Sequence, residues 1–317
     1  MNYDLFNGDA DGICALLQLR LAQPRESTLV TGVKRDINLL AKIDAAAGDQ
    51  VVVLDVSMDK NKEALQGALD AGALVFYVDH HFPGDIPQHP NLTSIINESP
   101  EVCTAALVNG HLGGEFAAWA VTGAFGDNLA HTARALAHDL QLSDAELGLL
   151  QELGTYINYN GYGPAIEDLH FDPQDLYLAL YEAREPLAFV RGSADFTRLR
   201  EGYREDMASA ADLAPLHCND SSAVFILPDQ PWARRVSGVY SNDLASDNPD
   251  RAHAVLTEKA NGNYLVSVRA PMTNKHGAAD LCRQFPTGGG RAGAAGINDL
   301  PSDTLEAFVA AFQQAYA

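Results

Sequence analysis

The sequence predicts an α/β protein in two parts. An N-terminal domain is expected around a parallel sheet with helices on both faces, followed by a smaller C-terminal α/β domain and a cleft between them. Three observations predict it. Short apolar runs alternate with helix-period segments through the first half of the chain, polar residues follow directly on three of those runs, and the patterning changes near residue 221. At 317 residues, 47% of them hydrophobic, the chain is long enough for two cores.

The first strand is expected at residues 3–6, followed by the turn Asn-Gly-Asp-Ala-Asp-Gly and a helix over 13–21. A strand at 29–33, a helix at 39–47, the buried run 51–56, a helix at 60–71 and a strand at 74–78 continue the alternation. Ligands in open α/β sheets gather beyond the carboxyl ends of the strands. Asp9 and Asp11, Asp55, and the triplet Asp79-His80-His81 all follow apolar runs, so they fall on one sheet edge. Residues 104–157 have a helical period with breaks at 110–114, 126–128 and 143–144. The stretch 182–220 is charged and helix-prone and reads as a connector. Strands are then expected at 223–227, 254–257 and 264–269, before a Gly-rich turn and a terminal helix. The domains are drawn as 1–185, a helical linker 186–220, and 221–317.

Charge narrows the partners. Lys and Arg number 21 against 42 Asp and Glu, a formal net charge of −21. Long nucleic acid is bound chiefly by neutralising phosphates with Lys and Arg, so strong binding to it is not expected. Short phosphorylated nucleotides remain compatible with such a surface. The four cysteines, Cys14, Cys103, Cys218 and Cys282, are scattered without a CxxC pair, which indicates neither a thiolate zinc site nor a disulfide framework. With no secretory leader and no apolar run of the roughly 18 residues that span a bilayer, a soluble cytoplasmic protein is expected, monomeric or homodimeric.

Asp9 and Asp11 stand two apart in a turn whose glycines allow close folding, and their carboxylates can converge on a cation. The same pattern also suits an ordinary helix start, where negative charge is favourable. Asp55 closes an apolar strand, and Asp79, His80 and His81 close another. Carboxylates with imidazole and no thiolate favour a hard or borderline divalent ion, manganese or magnesium before cobalt or zinc. Two such ions about 3.5–4 Å apart, bridged by one carboxylate, would ready a water for in-line attack on phosphorus.

The ordered motifs Asn-Gly-Asp-Ala-Asp-Gly, Leu-Asp-Val-Ser, Asp-His-His, Gly-Ala-Phe-Gly-Asp and Gly-Gly-Gly-Arg resemble those of the DHH phosphoesterase superfamily over nearly the whole chain, the second domain being similar to the family's DHHA1 domain. The resemblance implies two divalent ions, manganese foremost with magnesium or cobalt as alternatives. Asp9 would hold one ion and Asp11 the other, Asp55 would bridge both, and His80 with Asp127 would complete the second. Asp79 would orient an imidazole, and His81 would face the substrate phosphate or protonate the leaving group. Gly288, Gly289, Gly290 and Arg291 resemble the family's phosphate loop, with Arg269 a further substrate contact. Two positions depart from the pattern. Leu5 stands where many members carry a histidine, leaving Asn7 as the nearby polar substitute, and Arg291 stands where histidine is common. Arginine suits phosphate binding rather than proton transfer.

The reaction implied is hydrolysis of phosphoester bonds in short oligonucleotides, linear dinucleotides or nucleoside bisphosphates. The alternatives are a RecJ-like 5′–3′ single-strand exonuclease, a pyrophosphatase or exopolyphosphatase, and a non-catalytic nucleotide-binding regulator on the same scaffold.

Overall fold

The apolar runs at the start of the chain become neighbouring strands because each is bounded by a turn and connected by a segment that returns the chain to the same edge. β1 (Asn2–Phe6) leads to α1 (Ala10–Ala22), β2 (Thr28–Val30), β3 (Gln50–Leu54), α2 (Lys62–Asp70), β4 (Leu74–Asp79) and β5 (Leu92–Ile96). These strands form one sheet in the order β2-β1-β3-β4-β5, parallel at every pairing. The helices α3 (Thr104–His111), α4 (Ala117–Gly126), α5 (Ala130–Ala137), α6 (Asp144–Asn160), α7 (Pro173–Ala183), α8 (Pro186–Gly192) and α9 (Ala194–Ala211) follow. This computed structural model describes residues 1–317 and divides into two units, Met1–Glu201 and Gly202–Ala317. The division falls within α9.

One face of the sheet, with Tyr3, Leu5, Val51, Val53, Val75 and Tyr77, buries itself together with Leu65 and Leu69 of α2. Helix α1 packs against α3, α4 and α6, and every residue of it except Ala22 is buried. A helix that is largely apolar on all sides belongs in a core. Its buried cation, Arg20, is neutralised by Asp4 of β1 at 2.7 Å, and Arg25 and Ser27 bond the same carboxylate. Helices α4 and α6 approach through glycines. A Cβ on Gly154 would lie 2.2 Å from the carbonyl oxygen of Thr122, and one on Gly126 would lie 2.8 Å from that of Gly154. That contact sets the end of α4, where Asp127 emerges. The break expected at 143–144 is a capping box: the Ser143 hydroxyl accepts from the Glu146 N–H while Glu146 reaches back.

The second unit contains β6 (His217–Cys218), β7 (Ser222–Leu227), α10 (Pro231–Asp247), β8 (Ala252–Glu258), β9 (Tyr264–Arg269), α11 (Ala278–Cys282), β10 (Gly288–Gly290), β11 (Ala294–Leu300) and α12 (Leu305–Ala315). Its sheet runs β10-β11-β9-β8-β7-β6, with only β7 and β8 parallel. Val224, Leu256, Val266, Val268, Leu281, Ile297, Phe308 and Phe312 form its core.

Some elements differ from expectation. The helix expected at 39–47 is a single 3-10 turn, Leu39–Lys42, after which Ile43 is extended. Leu39 and Leu40 are the only buried residues of that turn, so nothing rewards prolonging it. The second strand stops at Val30, three residues short of the expected end. The glycines read as a turn form strand β10, paired to β11, with Arg291 at the bend that follows.

Candidate metal centre

Chain direction delivers the acidic residues. β1 ends at Phe6, and Asn7 and Gly8 turn the chain into α1, whose N-cap is Asp9. Asp9 Oδ1 accepts the Gly12 N–H at 3.1 Å, so the helix-start reading of this carboxylate holds for one of its oxygens. The turn is tight: a Cβ on Gly12 would sit 2.3 Å from the Asn7 carbonyl oxygen. Asp11, in the first turn of α1, is gripped by a second helix start. Its oxygens accept the backbone N–H groups of Thr104 and Ala105, both at 2.7 Å, at the N-terminus of α3.

Asp55 follows β3 with a positive φ of 60°, which is uncommon outside glycine and is held here by its N–H bond to the Val78 carbonyl. The Thr104 hydroxyl donates to Asp55 Oδ1 at 3.1 Å. β4 delivers Asp79, His80 and His81. Asp127 caps the C-terminus of α4, and Asn128 beyond it also has positive φ.

His80 is the hub. Its Nε2 lies 3.5 Å from Asp55, 3.8 Å from Asp127 and 3.9 Å from Asp11. Its Nδ1 is 2.8 Å from the Val102 carbonyl oxygen, which can only accept. That bond assigns the proton to Nδ1 and leaves the Nε2 lone pair facing three carboxylates. Asp79, fully buried, accepts instead from His81 Nδ1 at 2.8 Å and orients that ring. His81 is the more exposed imidazole, its side chain 40% accessible, and it stands edge-on to His80.

The electrostatics show a site short of positive charge. Burial, reinforced by Asp11, Asp9 and Asp127, pushes Asp55 well above the usual carboxylate range. Burial pushes Asp127 up to about 6, against the pull of Lys34. Burial acts on Asp9 in the same sense, but the Lys34 ammonium outweighs it and holds Asp9 low. Crowded carboxylates repel unless a cation joins them.

The donors fit a hard divalent ion. Asp11, His80 and Asp127 have donor atoms mutually within 4.8 Å, as do Asp55, His80 and His81. Two buried oxygens nearby, Asn7 Oδ1 and Asp79 Oδ2, have no hydrogen-bond partner. Thus Asp11, Asp55, His80 and Asp127 come together around one point, with Asp9 beside them. Leu5 is buried in the sheet core and offers nothing to the site.

Three contributors escaped sequence reasoning. Lys34 places Nζ 2.6 Å from Asp9 Oδ2 and 3.9 Å from Asp127 Oδ1. Thr104 and the Val102 carbonyl hold Asp55 and His80. None carries a spacing signature, although Thr104 opens the stretch of helical period 104–157. In the second unit, Arg269 donates to Asn242 Oδ1 at 2.9 Å and to Ser267 Oγ at 3.0 Å. Arg291 is exposed at the β10–β11 bend.

The two-sheet fold described above is not confined to this chain. Particular solved structures share it. The pGpG-specific phosphodiesterase PggH of Vibrio cholerae is 15% identical, each chain covering 99% of the other, with a TM-score of 0.59. A manganese-bound exonuclease RecJ is 16% identical over 99% of this chain and 89% of its own, with a TM-score of 0.65. RecJ of Thermus thermophilus in complex with manganese is 18% identical with a TM-score of 0.61, and the match takes in 99% of this chain and 51% of that one. No family model and no curated protein matches the sequence. At these identities the likeness is one of fold.

Proposed function

We propose that this protein is a divalent-cation-dependent phosphoesterase that hydrolyses short phosphorylated nucleotides, with linear dinucleotides such as pGpG as the leading substrate class. The observation that carries the reading is the His80 hub: an imidazole fixed in its ligating tautomer with three carboxylates 3.5–3.9 Å from its free nitrogen. The fold shared with the pGpG-specific phosphodiesterase and with manganese-bound RecJ supports it.

Asp11, His80 and Asp127 would hold one ion, Asp55 would reach it and a neighbouring ion, and Asp9 lies on the neighbouring side. When bound, divalent cations, manganese foremost, would supply Lewis acidity and lower the pKa of an attacking water. The chain's own residues do the remainder. Asp55 is aimed by its backbone geometry and by Thr104, and Asp11 is fixed by two N–H bonds. His81, held by Asp79, has the exposure to meet a phosphate or leaving oxygen. Burial works against a proton on His81, but the Asp79 bond outweighs it and raises its basicity above that of a free imidazole. Gly288, Gly289, Gly290, Arg291 and Arg269 are the second unit's proposed contacts to anionic substrate.

The net charge of −21 favours short substrates over long polyanions, which ranks dinucleotides above a RecJ-like role. The test is hydrolysis of pGpG, pApA, pAp, short RNA, longer single-stranded DNA and bis-p-nitrophenyl phosphate, with manganese, magnesium or EDTA. Manganese-dependent cleavage, fastest on dinucleotides, is expected. No cleavage of any of them with either metal would overturn the proposal, and preference for long DNA would reverse the substrate ranking.

A further inference from the structure

Asp9 differs from the other acidic residues of the centre because one of its oxygens is within hydrogen-bond distance of an ammonium group. Oδ1 takes the Gly12 N–H and Oδ2 takes the Lys34 ammonium at 2.6 Å. Neither close-set group of potential ligands includes Asp9.

Lys34 does not drift there as a surface lysine would. Its ammonium also donates to Asn158 Oδ1 of α6 at 2.8 Å and lies 5.5 Å from the Tyr162 ring centre. Its backbone is fixed from two sides: its carbonyl accepts from Asn7 Nδ2 at 3.3 Å, and its N–H donates to the Gly161 carbonyl at 2.8 Å. Asn7 therefore secures the lysine's main chain. The Leu5 side chain, buried in the sheet core, adds no ligand. One positive group with an acceptor set of Asp9, Asn158 and, at 3.9 Å, Asp127 occupies the side of the centre nearest the start of α1.

We propose that Lys34 is a built-in cation for the Asp9 side of the centre: the chain binds one divalent ion tightly through Asp11, Asp55, His80 and Asp127, and admits a second only by displacing the Lys34 ammonium from Asp9. This rests on the metal-centre reading above. The chemistry is charge exchange at a carboxylate. An ammonium bonded at short range inside a largely buried pocket interacts far more strongly than one in water, so an incoming ion must first break the contacts to Asp9 and Asn158. The first ion meets a weaker competitor, because the Lys34 ammonium stands 3.9 Å from Asp127 and 2.6 Å from Asp9.

The test is calorimetric titration of manganese(II) into the EDTA-stripped full chain, with native mass spectrometry to count ions, for wild type, Lys34→Met and Lys34→Arg. Wild type is expected to bind one ion, with a second step weaker by about tenfold or more. Lys34→Met should bind two ions, its second step strengthened by at least about tenfold, and Lys34→Arg should keep the one-ion pattern. If Lys34→Met is stable only with metal, the rise in its melting temperature on adding manganese, larger than that of wild type, reads the same exchange. Two equally tight ions in wild type, or identical isotherms for wild type and Lys34→Met, would overturn the inference while leaving the metal centre intact. Failure of every variant to bind any ion would remove the metal-centre reading and this inference with it.

Discussion

Asp55 concentrates the conflict between folding and function in a single side chain. It is buried, has a left-handed backbone, and faces other carboxylates that push its proton affinity up. Asparagine tolerates that backbone region well and keeps the Thr104 contact while removing the charge. Asp55→Asn should therefore raise the melting temperature of the metal-free chain, by a few degrees or roughly 1 kcal/mol, and abolish the rise that manganese produces. Turnover should fall by more than about a hundredfold, beyond what residues that only orient ligands achieve. Calorimetry with and without EDTA, beside a bis-p-nitrophenyl phosphate assay, checks both halves. His253 in β8 poses the converse problem away from the centre. It is buried, neither ring nitrogen has a partner, and burial with the nearby Arg251 charge depresses its pKa to about 4. An unfolded histidine takes a proton below about 6.5. Between these values the unfolded state binds the extra proton, so this contribution to stability is full above about pH 6.5 and is lost as pH falls toward 4. His253→Leu should flatten that part of the stability profile, removing on the order of 2 kcal/mol of pH dependence, as denaturant melts at about pH 7 and pH 4.5 would show. At this scale the sequence disclosed acids at strand ends and a His pair. It could not disclose Lys34, which lies beyond α1 and β2 and reaches Asp9 through a path set only by where β2 stops and Asn7 points.

Among the elements, α3 carries more of the site than its eight residues suggest. Its first two N–H groups, which have no partner inside the helix, go to Asp11, and the Thr104 side chain goes to Asp55. Thr104 is the first helical residue and Cys103 before it is extended, a geometry that accepts proline without loss of any helical hydrogen bond. Thr104→Pro should leave the circular dichroism spectrum unchanged yet weaken manganese binding by about 10–100-fold; unchanged affinity in a titration would deny α3 its orienting role. The pattern that revealed β3 and β4 was continuous apolarity, the mark of strands covered on both faces, whereas β1 is interrupted by Asp4. β5 lacked that mark, because Thr93 and Ser94 are exposed and the strand sits at the sheet edge. Strand β11 was hidden for a related reason: Ala-Ala-Gly-Ile-Asn-Asp-Leu reads as a turn until β9 and β10 pair with it on both sides.

Across the whole molecule, fold class was legible before site detail because alternation of apolar runs survives any local irregularity, whereas hydrogen-bond partners of individual carboxylates depend on elements far apart in sequence. The acidity that discourages long polyanions is spread over the surface, while the cluster around His80 is buried, so the two should respond differently to salt. Added salt should change binding of single-stranded DNA far more than manganese affinity. A last consequence concerns helix α1. It is enclosed on every side, and Asp9 and Asp11 stand at its start. Backbone protons on such a central helix exchange with deuterated solvent only when most of the domain opens. Stripping the cations with a chelator should therefore quicken exchange at the flanking bends near Asp55 and Asn128 while leaving α1 as slow as before, so that the empty pocket waits already shaped for its next ion.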